Sequence, residues 1–166
     1  MTSKHFILLI TAFGSLSLVK AQNTKTDSAA AAATLKELLS VCKNVDFADP
    51  KTSEPGMFYK AAPYILYQGD DKKRAWKVFA NYNNAEEKKG VDEVCTRINE
   101  TVNRGSSYKI IKYVTEKESE GVWHLLMVSY KKNGTEKSAA FTFLKIDKRF
   151  GLEILIDKLT EDWDEE

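Results

Sequence analysis

Several chemistries are excluded by what this chain of 166 residues does not contain. Neither GxxxxGK[ST] nor GxGxxG occurs, so no glycine loop is available to cradle phosphates. GxSxG, HExxH and calcium-loop patterns are missing as well. Cysteine is scarce: Cys42 and Cys95 are the two in the chain, and they do not form a CxxC pair. Beyond the N-terminal segment His124 is the one histidine. Two sulfurs and one imidazole are a poor set of metal ligands, so no metal and no cofactor are expected. There is no internal repeat. There is also no basic excess, with 25 Lys and Arg against 24 Asp and Glu. A nucleic-acid binder would show a basic face, so that class is set aside.

The start of the chain has the parts of a secretory signal. Lys4 and His5 give a short basic opening, and Phe6 to Val19 follows without a charge. Val19-Lys20-Ala21 then resembles a cleavage site, with Gln22 as the new first residue. About 20 apolar residues are needed to cross a bilayer core. This run has fourteen and is interrupted by Gly14, Ser15 and Ser17. No cysteine stands at the cut, so a lipid anchor is not expected. No later run is long and apolar enough to span, so the mature chain is expected without a membrane span, secreted or periplasmic. Losing Lys4 and Lys20 leaves 23 basic against 24 acidic residues, a net charge near −1. The expected organisation is a signal at 1–21, a flexible leader at 22–33, one domain at 34–157 and an acidic tail at 158–166.

Within that domain the first half has helical periodicity. Leu35, Leu38, Leu39 and Cys42 recur at i, i+3, i+4 and i+7, one helix stripe. Asp49-Pro50 and Glu54-Pro55-Gly56 break it. Met57–Tyr67 is a second apolar segment, which Pro63 either kinks or restarts. Arg74–Tyr82 is short and strongly aromatic. Asn84 then reads as an N-cap with Glu86 and Glu87 in the first turn. The helix behind it carries Val91, Val94, Cys95, Ile98 and Val102, and Asn103-Arg104-Gly105 ends it. Cys42 and Cys95 thus lie on two apolar stripes. They form a disulfide if those stripes meet, and pack as two buried thiols if they do not.

From Tyr108 the residues become β-branched and aromatic. Tyr108–Thr115, Val122–Lys131, Ser138–Ile146 and Phe150–Ile156 read as four strands. Asn133-Gly134 between the second and third is a strong hairpin signal. Short turns make sequence neighbours into spatial neighbours. The expected fold class is therefore α+β, with N-terminal helices packed on a curved antiparallel meander of four or more strands.

That order resembles the nuclear transport factor 2-like superfamily of cone-shaped α+β proteins, in its secreted bacterial branch. The resemblance rests on Gly121–Val128, the Asn-Gly turn and Phe141–Asp147, and covers about residues 34–157. It implies a cone whose interior holds a ligand, or in the enzymes of the group a carboxylate base. Tyr64, Tyr67, Trp76 and Phe79 are expected on a helical segment opposite the sheet. Trp123, Leu125 and Met127 share one face of their strand, and Phe141 and Phe143 share one face of theirs. If the two faces merge, these nine residues form an apolar pocket wall.

His124 shares a strand face with Val122, Leu126 and Val128, where a hydrogen-bonded structural histidine is the ordinary outcome. Glu153, between Leu152 and Ile154, is expected to face solvent. No catalytic set is identifiable on these terms. The expected role is a non-enzymatic domain that binds a small apolar ligand or a protein partner. The alternative is a small lyase, isomerase or hydrolase with an acid or base in its pocket. Asn99-Glu-Thr101 and Asn133-Gly-Thr135 match the glycosylation sequon.

Overall fold

A computed structural model describes residues 25–43, 58–105 and 107–156. The expected signal at 1–21, the expected breaks at Asp49-Pro50 and Glu54-Pro55-Gly56, and the acidic tail at 158–166 lie outside the described residues. Helix α1 runs over residues 25–43. It takes in residues 25–33, most of the expected flexible leader. The alanine run has high helix propensity, and Ala31 is fully buried in line with Leu35, Leu38, Leu39 and Cys42. The leader is helix because it extends the same apolar stripe by one turn.

The Met57–Tyr67 segment is a correction too. It holds one 3-10 turn, Ala62–Tyr64, with Pro63 in its first turn. Proline suits that place and cannot sustain a longer helix behind it. Ile65 then forms a parallel bridge with Leu152, and Leu66 an antiparallel one with Phe79. Residues 65–67 and 78–80 therefore make a narrow hairpin along the edge of the sheet. The segment expected to be a helix opposite the sheet extends the sheet instead.

Helix α2 is Ala85–Glu100. The Asn84 side chain accepts from the Glu86 and Glu87 amides, 2.9 and 3.2 Å away, which satisfies two amides left over at a helix start. Its buried stripe, Val91, Cys95 and Ile98, packs with that of α1. Cys42 and Cys95 meet there as a disulfide, with Cα atoms 5.0 Å apart. Asn99 donates to the Cys42 carbonyl at 2.6 Å and Asn103 to the Leu39 carbonyl at 3.0 Å. The two helices are thus joined by sulfur, apolar packing and side-chain amides at one place.

The sheet is four-stranded and antiparallel, in the order β1-β2-β3-β4. The strands are Tyr108–Glu118, Gly121–Lys132, Thr135–Ile146 and Arg149–Ile156. With two helices beside it, the class is α+β. Asn133 and Gly134 take φ of 53° and 78°, the left-handed pair that a two-residue hairpin needs. That turn pairs Lys132 with Thr135 and sets the whole register: His124 faces Phe143, Leu126 faces Phe141 and Val128 faces Ala139. These residues, with Leu152 and Leu155 of β4, form the core under the helices, except that His124 stands at its border. Extra residues interrupt two ladders, Ile111 in β1 and Glu153 in β4.

Candidate functional site

The expected pocket wall divides between the two faces of the sheet. A two-residue turn makes paired positions sum to a constant odd number, so odd residues of β2 meet even residues of β3. Trp123 pairs with Leu144, Leu125 with Thr142 and Met127 with Ala140. Phe141 and Phe143 are on the helix face, fully buried in the core. Tyr64 is partly buried against the same core, its hydroxyl donating to Glu37 of α1 at 2.9 Å. That carboxylate acceptor, then burial, raises the Tyr64 pKa. The merged wall does not exist, and its helix-side half is filled core.

The other half assembles on the outer face, opposite α1 and α2. Three rows cross the strands there. Glu116, Trp123, Leu144 and Gly151 make the first, and Val114, Leu125, Thr142 and Ile154 the second. Lys112, Met127, Ala140 and Ile156 make the third. Leu144, Met127 and Ala140 are buried, whereas Val114 and Ile154 are 38% and 43% exposed. Trp123 and Leu125 are half-buried.

The edge hairpin and its loop reach over one end of this face. Leu66 and Phe79 lie against Gly151, where an added Cβ would collide with Leu66. A glycine is needed for that close approach. The Arg149 guanidinium sits over the Phe79 ring, 4.1 Å from its centre. The Trp76 ring meets Trp123 edge to face, with centroids 6.4 Å apart. Arg74 anchors the loop: it pairs with Glu87 at 2.9 Å and lies 4.2 Å above the Tyr67 ring. Trp76, Phe79, Trp123, Leu125 and Met127 are thus placed on or against one face, with Tyr67 at the root of the loop.

Two clefts border this region. One, of about 510 Å³, lies between the loop and the β1–β2 turn and is lined by Lys72, Ala75, Trp76, Lys77, Ser119 and Glu120. The Ser119 hydroxyl holds the Glu120 carboxyl below its usual range. The other, of about 240 Å³, runs between α2 and the edge hairpin; Ile65, Leu66, Val91 and Val94 make its apolar part, and Glu86 and Glu93 are among its acids.

Two buried titratable groups stand apart from both clefts. The His124 ring is buried, with Nδ1 2.6 Å from the Tyr113 hydroxyl and its plane perpendicular to Phe150. Burial lowers its pKa, as expected for a hydrogen-bonded structural histidine. Glu153 is the correction: it is 9% exposed, not solvent-facing. Simple alternation fails because Glu153 is the extra residue of the β4 bulge. Burial pushes its carboxyl up to about 7. Gln68 donates to its backbone carbonyl. A flanking hydrophobic pattern gives no signal of a bulge, so the buried acid was not readable from it.

No protein-family model, no curated protein and no solved structure matches this chain.

Proposed function

We propose that this is an exported, non-enzymatic binding domain whose binding surface is the outer face of its sheet. One observation carries the reading. The row Val114, Leu125, Thr142 and Ile154 leaves apolar groups half open beside two tryptophans, while the helix side of the sheet is packed with Phe141 and Phe143. Contiguous exposed apolar surface marks interaction sites in soluble proteins. The disulfide and the N-terminal signal pattern support an oxidising, extracytoplasmic address. Two helices ahead of a four-strand meander support the likeness to the nuclear transport factor 2-like group.

An apolar fluorescent probe tests the surface. Leu125→Asp is expected to abolish most probe binding at a smaller cost in stability than a core truncation, because the side chain is half-buried on the open face and not enclosed in the core. Phe143→Ala is expected to cost about 3–5 kcal/mol, as large-to-small changes in a filled core do, and to leave the outer-face probe site intact. Probe binding unchanged by Leu125→Asp, or no probe binding by the parent, rejects the reading.

The enzymatic alternative has one observation in its favour. A carboxyl titrating at about 7 is suited to general acid–base work. Glu153 lines neither cleft, however, and the hydrogen bond at this residue, from Gln68, is to its backbone carbonyl and not to the carboxyl. Binding is therefore the better reading.

A further inference from the structure

Trp76 has a backbone φ of 63°. That left-handed conformation is a genuine outlier for a bulky side chain. Trp76 is half-buried, so part of its surface stays open to solvent. Its ring stands against Trp123, which is fixed by pairing to both β1 and β3. Backbone strain of this kind is concentrated at ligand clamps and switch regions. The residues around it have ligand chemistry of their own. Neither Lys72 nor Lys77 forms an ion pair among the described residues, although both line the cleft. Ser119 and Glu120 face them from the β1–β2 turn. The volume, about 510 Å³, is in the range of small-molecule sites.

We infer that this cleft binds an acidic saccharide, a pyranose oligomer carrying hexuronate carboxylates. The inference rests on the reading of the outer face as the binding surface and names what its tryptophan end takes. A tryptophan face is electron-rich, and the C–H side of a pyranose ring is a flat, weakly positive surface that stacks on it. Lys72 and Lys77 supply charge-assisted hydrogen bonds to a carboxylate. Glu120 and Ser119 accept from ring hydroxyls. A flat aromatic acid would satisfy the tryptophan and the lysines but would offer no hydroxyl to the Glu120 carboxylate. A neutral sugar would leave the two lysines unused. A hexuronate meets all of these groups at once.

The probe is trigalacturonate, titrated against the intact, disulfide-bonded protein while tryptophan fluorescence is followed. Saturable binding is expected that weakens as salt rises. The neutral trisaccharide of the same linkage, α-1,4-galactotriose, should bind about tenfold more weakly, the loss of one hydrogen bond to a charged group. Lys72→Gln with Lys77→Gln should remove that difference.

Trp76→Gly is the decisive variant. Glycine adopts a φ of 63° without strain, so the folded state loses a contact and gains backbone ease. Trigalacturonate binding should fall at least about tenfold with the melting temperature kept. A large drop in melting temperature with binding retained would make Trp76 a packing residue and overturn the inference. Equal binding of the two trisaccharides overturns it as well. If the apolar probe binds and trigalacturonate does not, the saccharide inference falls and the outer-face reading stands. If neither binds, both fall.

Discussion

Glu153 and His124 are buried side chains whose ionisation opposes folding from opposite ends of the pH scale. For Glu153 the folded pKa is about 7 against an ordinary value of 4.5. Between these values the folded chain holds a proton that the unfolded chain has released. Its contribution is full below 4.5 and is lost as pH rises through 7. For His124 the folded pKa lies below 6.5, so stability is lost as pH falls beneath that value. Glu153→Gln keeps the shape of the protonated acid and cannot ionise. It should therefore stabilise the protein clearly at pH 8 and hardly at pH 5. Urea titrations at the two pH values measure this, and equal effects at both would show that Glu153 is not desolvated in the fold. Asn99 shows the same dependence on burial. Its amide donates to the Cys42 carbonyl, so the folded chain has no free acceptor at that sequon, whereas Asn133 is exposed at a hairpin tip.

At the scale of elements, the Cys42–Cys95 bridge joins the two helices above the sheet. The stripes were readable as sequence, since i, i+3, i+4 spacing places both cysteines on apolar faces. Their meeting was not, because helix–helix contact depends on how both pack on the strands. The bridge closes a loop with a sequence separation of 53. Chain entropy alone then stabilises the fold by about 4 kcal/mol. Cys42→Ser with Cys95→Ser should lower stability by about that amount, measured by denaturant titration without reductant. In the parent, thiol labelling under denaturing, non-reducing conditions should find no free sulfhydryl. Two free thiols in freshly exported protein would contradict the bridge. The Asn133-Gly134 turn is the complementary case. It was legible together with its register, and a two-residue turn already requires that Trp123 and Phe143 occupy opposite faces.

For the molecule as a whole, both sheet edges are managed. The free side of β4 is covered by the bridge from Ile65, and β1 carries Lys109, Lys112 and Lys117 with a bulge at Ile111. Charges and bulges on an edge discourage pairing with other chains. No helix among the described residues is long and apolar enough to cross a membrane. Export predicts a mature chain that begins at or within a few residues of Gln22, which intact mass spectrometry of protein from the extracytoplasmic compartment will show. An intact Met1 there would reject the signal.

The sequence by itself determined the elements that arise from local periodicity and turn chemistry: both helix stripes, the Asn84 cap, four strands, their meander order and the α+β class. These depend on residues within a few positions of one another, so a single chain displays them. Tertiary structure alone decided the rest. It put Tyr67, Trp76 and Phe79, expected on a helical segment opposite the sheet, into an edge hairpin and its loop, because β4 offered unpaired backbone beside Gly151. It buried Glu153 through a bulge that no side-chain pattern announces. It brought Trp76 to Trp123 across 47 positions of sequence. Each of these depends on a partner distant in the chain, and the binding surface is composed of such partners.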